Sequence, residues 1–557
     1  MGFNRSATLG ETARFGLLFF QIIAYVQLTL LLFFSALSAA GTVALEKDRR
    51  TFVLLLMTDL SDYEIVVGKM LGSLLPIILL LLVTMPVFAL LLLLGGLSGQ
   101  QVVQAGLVFL STSLASGSLG GLVALWREKT FQSLALSVLG LVLYLCLVQG
   151  IGLLAGSSSV VDLHMVRAWL DPFLTIQYVL EPPMKSSFSP AYGFTIIMTV
   201  FAILLNLVGI WKLRTWNPSG EPIMQSDAPT EEEKQAERST QSHAAPGKAR
   251  PVWNNPILWR EIVTYAYGRR PFMIKTAYFI VLALLCWYAF GQLNRAGHNS
   301  FAAAYGLVPV TILSLLLVSA QSATSITSER DGKALDLLLV TDLSPKEFIF
   351  GKIGGVLWNT KEFILPPLLI AIFYAFRGAY TKTPEGDTAL IWNLGPMMCV
   401  LGTVIVLVAF GLVLGLHVAL RIESSRLSVV HTLGTIFFLS VGALISIYLI
   451  IINGGALANQ LLSFSAFICL GIGGLWWVLS ADRPSPALTL SATICPLAMF
   501  YSVVNIIIGN PQSNESADPF VPFLVIGAAF GFTILAMLVP LVGEFDIALG
   551  RPTIAEE

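Results

Sequence analysis

The chain has 557 residues, 56% of them hydrophobic and 12% charged, with a mean hydropathy of +0.80 and a formal net charge of −1. That much apolar surface excludes an ordinary soluble domain, and the near-zero net charge gives no sign of a nucleic acid partner. The five cysteines (Cys146, Cys286, Cys399, Cys469 and Cys495) all sit inside apolar runs, which argues against a disulfide framework.

Apolar runs long enough to cross a bilayer as helices recur along the chain, which predicts an all-α, polytopic transmembrane bundle. In chain order they fall near 15–44, 71–95, 103–125, 131–155 and 191–212, and then near 274–293, 303–326, 353–376, 391–419 and 428–453. Candidates near 459–480 and 488–508 and a last run near 521–545 complete the set. No cleavable signal peptide is visible, because the first run is far longer than a signal core. The stretch 213–252 is polar, charged and rich in Pro and Ser, so it reads as a flexible tether. The chain thus divides into a first half, 1–212, the tether, 213–252, and a second half, 253–557.

Lys and Arg accumulate on the cytoplasmic side of membrane proteins. Lys47, Arg49, Arg50 and Lys69 share one loop; Arg127 with Lys129, the flanks of the tether, and Arg421 with Arg426 mark other basic loops, while the alternate loops are sparser. The tether, these loops and the C-terminus are therefore expected in the cytoplasm, in a multi-pass protein of the plasma (inner) membrane. A single span at 15–44 then places residues 1–14 outside.

Two charged cassettes stand out. "EKDRRTFVLLLMTDLSDYEIVVGK" occupies 46–69 and "ERDGKALDLLLVTDLSPKEFIFGK" occupies 329–352, aligned without a gap at an offset of 283. Matched residues are Glu46 with Glu329, Asp48 with Asp331, Thr58 with Thr341, Asp59 with Asp342, Ser61 with Ser344, Glu64 with Glu347 and Lys69 with Lys352. "LLLMT" is expected to continue the preceding helix and "TDLS" to break it. Ser-x-x-Glu is a capping box, and Pro345 suits the first position of the new helix. Gly68 and Gly351 permit close packing, and the lysines after them are expected to snorkel to the headgroups. One capped corner is simply a well-made inner loop. Two, with matched acids at matched places, favour a docking surface for a cytoplasmic partner.

The pattern E-x-D, then LLL, T-D-L-S, E and G-K after a long helix resembles the coupling segment of type-two ATP-binding-cassette (ABC) exporter permeases. "NNPILWRE" (254–261) resembles the amphipathic elbow helix before that family's first span, with Asn255 as cap and Pro256 at the first position. "LDPFLTIQYVL" (170–180) and "ICPLAMFYSVV" (494–504) resemble its Pro-containing segment before the final span. The resemblance implies two permease halves fused in one chain, the first lacking an elbow and a first span. It implies alternating access to an unknown substrate, with no ATPase or cofactor in this chain. ATP would be bound and hydrolysed by two copies of a separate cytoplasmic ATPase subunit docked on the fourteen cassette residues.

"LSGQQ" (97–101) resembles an ABC ATPase signature but sits between spans, and the chain contains no G-x-x-x-x-G-K-[ST] phosphate loop. Lys361 and Glu362 lie further along the helix that follows the second cassette, where charges face a path or a partner helix, or else snorkel. His417 and His431 lack neighbours at metal-ligand spacing and read as packed, hydrogen-bonded histidines. Asp162, Arg167, Asp171, Glu181 and Lys185 read as a solvated outer cap. Two other functions stay open: a non-transporting membrane scaffold or assembly factor, and a channel, for which the spans show too few polar residues.

Overall fold

The computed structural model describes residues 9–49, 51–127, 129–154, 163–180, 189–217, 253–263, 272–296, 304–331, 335, 343–377, 389–422, 424–452, 461–480, 485–508 and 519–543. These residues form seventeen helices and no strand. The first half comprises α1 (Leu9–Asp48), α2 (Thr51–Leu56), α3 (Asp62–Leu94), α4 (Gly99–Trp126), α5 (Thr130–Leu154), α6 (Leu163–Leu170), α7 (Pro172–Leu180) and α8 (Pro190–Trp216). The second comprises α9 (Pro256–Val263), α10 (Phe272–Ala296), α11 (Ala304–Asp331), α12 (Pro345–Phe376), α13 (Ala389–Arg421), α14 (Ser425–Ile452), α15 (Leu461–Ser480), α16 (Pro486–Ile508) and α17 (Phe520–Gly543).

Twelve of the described helices are long and apolar enough to cross a bilayer, so the chain is an all-α, multi-pass membrane protein. Five lie in the first half (α1, α3, α4, α5, α8) and seven in the second (α10 to α14, α16, α17). The run at 488–508 is among them. The run at 459–480 forms helix α15, with a shorter apolar stretch at Ile468–Leu479. Residues 1–8 and most of the tether lie outside the described residues.

Local chemistry sets many helix starts. Five helices open on proline (Pro172, Pro190, Pro256, Pro345, Pro486), where the missing N–H is harmless, and each proline follows Asp, Asn or Ser. Pro76, Pro86, Pro366 and Pro367 lie inside helices; the Phe363 carbonyl, which Pro367 leaves without its helical donor, accepts from the Tyr278 hydroxyl of α10 at 3.4 Å. One expectation fails at the first cassette: the "LLL" segment does not continue α1. The Thr51 hydroxyl donates to the Glu46 carbonyl, a local bond that competes with helix propagation, and the separate turn α2 then buries Phe52 and Leu56.

Packing repeats between the halves. In the first, α1 packs on α3, α4 and α5, and α4 packs on α3, α5 and α8. In the second, α11 packs on α12, α13 and α14, and α13 packs on α12, α14 and α17. Small residues let the central pairs approach closely, as in membrane helix packing generally. A Cβ on Gly120 would collide with the Ala36 carbonyl oxygen, and one on Gly415 would meet the Ser322 side chain at 2.8 Å. The halves join reciprocally, α1 on α14 and α11 on α5.

Candidate functional site

The first cassette turns a corner between α1 and α3, and in the second the described residues end α11 and start α12 at the matching places. At the first, the Ser61 N–H donates to the Glu64 carboxylate at 2.9 Å. At the second, the Ser344 N–H donates to Glu347 at 3.1 Å and the Glu347 N–H donates to the Ser344 hydroxyl at 3.2 Å. The expected capping boxes are present. The Thr58 hydroxyl donates to the Leu55 carbonyl at 2.6 Å, and Asp59 is exposed, with no side-chain partner among the described residues. Leu54 and Met57 around it are 60% and 62% exposed, and Leu60 and Tyr63 are exposed too. Thr341 and Asp342 lie outside the described residues.

Behind each corner sits an ion cluster built from equivalent residues. Lys69 pairs with Glu46, and Lys352 pairs with Glu329 at 2.7 Å. The second cluster is larger, because α9 lies over α12 and delivers Glu261 to Lys352 at 2.6 Å, while Arg260 pairs with Glu329. Lys352 and Glu261 are 1% and 3% exposed, against 27% and 28% for Lys69 and Glu46. Neither lysine snorkels as expected: each is held by a glutamate from the preceding long helix, and α9 then shuts Lys352 away from water. Asn255 caps α9 by accepting from the Leu258 N–H at 2.9 Å, and its amide donates to the Glu347 carbonyl at 2.8 Å.

A second matched pair went unnoticed in the sequence. The Lys47 ammonium donates to the Arg127 carbonyl at 3.0 Å, just past the end of α4. Its equivalent, Arg330, donates to the Ala419 and Ile422 carbonyls at 2.9 and 2.7 Å at the end of α13. A cation there satisfies orphan carbonyls and complements the helix dipole. The signal was the cation between two acids in both E-K-D and E-R-D.

The halves meet where the equivalent residues Asp48 and Asp331 line one cavity of ≈ 20 Å³, room for about one water. Thr130 donates its hydroxyl to Asp48 at 2.5 Å, Arg49 pairs across the seam with Asp331 at 3.3 Å, and Arg426 donates to the Ser38 hydroxyl at 3.0 Å. Phe33 and Phe34 of α1 pack on Phe437 of α14, with ring centroids 5.2 and 5.7 Å apart. This seam is closed in the structure.

The remaining sequence candidates lie apart from the seam. Glu362 pairs with Lys275 of α10 at 2.6 Å, and the exposed Lys361 ammonium lies 3.5 Å from the centre of the Trp358 ring. His417 is buried between the Met537 carbonyl (3.1 Å) and the Ser485 hydroxyl (3.4 Å). Among the described residues no group of three His, Cys, Asp or Glu could hold a metal. Asp171 and Arg167 do not belong to a solvated cap. Asp171 is buried, accepts from the Phe173 N–H at 3.0 Å and the Gln149 amide at 2.8 Å, and lies 3.8 Å from Arg167. Burial pushes its carboxyl above the usual carboxylate range. Asp162, Glu181 and Lys185 lie outside the described residues.

Residues spread over the sequence therefore gather at one end of the bundle: the described residues of both cassettes, with Arg127, Thr130, Arg260, Arg426 and Arg214, which pairs with Asp62 at 2.8 Å. No family model matches this chain, and no curated protein or solved structure matches it. The chain is a multi-pass helical membrane protein whose halves share one packing pattern and carry matched capping boxes and lysine–glutamate pairs at one end.

Proposed function

We propose that the chain is the membrane-spanning permease subunit of an ABC-type exporter in the plasma membrane, moving an unidentified substrate by alternating access. Two separate cytoplasmic ATPase subunits dock on the cassettes, bind the ATP and hydrolyse it; this chain is not itself an enzyme. The observation that carries this reading is the first corner. Leu54, Met57, Leu60 and Tyr63 stand exposed around the exposed Asp59, which has no side-chain partner among the described residues, at the end of the bundle that carries the cassette charges. A contiguous apolar patch rimmed by acids at the polar end of a bundle is the mark of a protein interface.

The corner is also suited to transmit force. Its capping box fixes the start of α3, its ion pair ties α3 to α1, and α1 forms the seam with the other half. Rigid-body motion of a docked partner would reach the seam through two helices, the kind of packed, two-state element that coupling requires. The seam around Asp48 and Asp331 is then the inward gate, in its closed state.

The test is affinity purification of the full chain in mild detergent with mass spectrometry of co-purifying proteins. An ABC ATPase that is recovered with the wild type and lost from the Asp59→Ala/Glu64→Gln and Glu347→Gln variants supports docking. Recovery unchanged in those variants overturns it. An ATPase that binds while no ATP-driven movement of substrate accompanies it in vesicles would favour the scaffold.

A further inference from the structure

The repeat exposes a difference between the halves. In the second, the face of α12 that begins at Gly351 lies under the amphipathic helix α9. A Cβ on Gly351 would meet Asn255 and Ile257 at 2.8 Å, one on Gly354 would meet Leu258 at 2.8 Å, and one on Gly355 would meet Glu261 at 2.5 Å. Further along, Phe363 of α12 is buried against Tyr278 of α10, with ring centroids 4.9 Å apart. In the first half the equivalent glycines, Gly68 and Gly72, have nothing within 4 Å of such a Cβ and are exposed. Leu71 and Leu80, which stand where Gly354 and Phe363 stand, are exposed as well. Lys69 keeps Glu46 but, among the described residues, meets no counterpart of Glu261, and it is more than a quarter exposed. A helix seat is thus built twice in this chain and, among the described residues, filled once.

We propose that the α3 face of Gly68, Lys69, Leu71 and Gly72 is the seat of an amphipathic helix from a partner membrane protein. That helix sets a carboxylate against Lys69 and continues into an apolar span along Leu80. Its chemistry is given by the filled copy. A capping Asn or Ser reaches back to the Glu64 carbonyl, as Asn255 reaches the Glu347 carbonyl. A branched aliphatic residue fills the space over Gly68, and a glutamate four residues after it pairs with Lys69. Two small residues four apart let backbones approach closely, which membrane helices use to associate in the absence of a hydrophobic drive. A carboxylate completing the Lys69–Glu46 pair supplies charge complementarity. A second copy of this chain does not meet the requirement, because its one such helix among the described residues, α9, is already seated on α12. The proposal rests on the repeat alone and is independent of transport.

The test expresses the full-length chain carrying Gly68→Cys, in a background without the native cysteines, together with a tagged probe polypeptide of residues 253–296 carrying Asn255→Cys. Alkaline extraction confirms that the probe is inserted. Open space around Gly68 makes its replacement compatible with folding. The expected result is an oxidative cross-link between chain and probe, reduced several-fold by Glu261→Gln in the probe and by Lys69→Gln in the chain. The proposal is overturned by an inserted probe that gives no cross-link, by a yield indifferent to both charge replacements, or by cross-linked dimers of the full chain in the probe's place.

Discussion

Replacing Lys352 with Met should loosen α9 from α12 far more than the matched replacement of Lys69 loosens anything. The Lys352 ammonium is 1% exposed and sits between Glu261 at 2.6 Å and Glu329 at 2.7 Å, with the Ser325 carbonyl at 3.1 Å. Methionine fills much the same volume, so the packing loss is small and the main effect is on the buried Glu261 carboxylate, which keeps Arg260 at 3.7 Å but loses its close partner. Removing one partner of a buried pair costs roughly 3–5 kcal/mol. The Lys69–Glu46 pair is over a quarter exposed on both sides, so its loss costs roughly 0–1 kcal/mol. Hydrogen exchange in mild detergent reads the effect locally. In the Lys352→Met variant the α9 amides should exchange roughly a hundredfold faster or more, since about 1.4 kcal/mol is a factor of ten. In Lys69→Met, exchange at the start of α3 should change less than about tenfold. A Lys352→Met/Glu261→Met double variant should recover most of the loss, because it strands no charge. Equal effects of the two single replacements, or a double variant worse than Lys352→Met alone, would refute the reasoning.

Gly355→Ala should displace α9, since its Cβ would lie 2.5 Å from Glu261, whereas Gly72→Ala should leave stability unchanged or raised by about 0.5–1 kcal/mol through helix propensity; thermal unfolding in detergent compares them. Asp331→Asn keeps the shape of a buried side chain but gives up its charged partner, the half-exposed Arg49, at a cost of roughly 1–3 kcal/mol; a large fall in partner-stimulated ATP hydrolysis in a variant whose thermal unfolding shows it still folded would report coupling rather than folding. A cysteine at Gln100, beyond the far end of α3, should react with an impermeant thiol reagent in intact cells while one at Thr58 should not; the reverse preference would invert the proposed orientation.

Much of this architecture is legible in the sequence because a bilayer forces it: long apolar runs have few alternatives to helices, and the helix starts are spelled out by dipeptides such as Ser344-Pro345 and Asn255-Pro256. The capping boxes are local, three residues from serine to glutamate, so they too can be read directly. What escapes is long-range. Glu261 meets Lys352 across 91 residues, and Arg49 meets Asp331 across 282. No periodicity announces such pairs, and a lysine beside an apolar run reads as snorkelling until the helix that covers it is in place. The break between α1 and α2 escaped for another reason: Phe52 and Leu56 suit a continuing helix and a separate one equally, and burial decides between them. Asp171 reads as solvated when grouped with the other charges between 162 and 185, yet it sits in the apolar stretch Trp169–Leu174 and its partners in space are Gln149 of α5 and Arg167 of α6.

The central claim is that docked ATPases drive the two halves apart at the seam. It is tested most directly by tethering α1 to α14 in a complex purified with its ATPase, in a background without native cysteines. Ser38→Cys and Arg426→Cys, whose native side chains touch at 3.0 Å, are bridged with a cleavable bismaleimide. The account predicts that the tethered complex keeps its ATPase subunits, that hydrolysis falls to the level of the free ATPase, and that cleaving the tether restores it. Hydrolysis that continues at the untethered rate with the seam locked would contradict it.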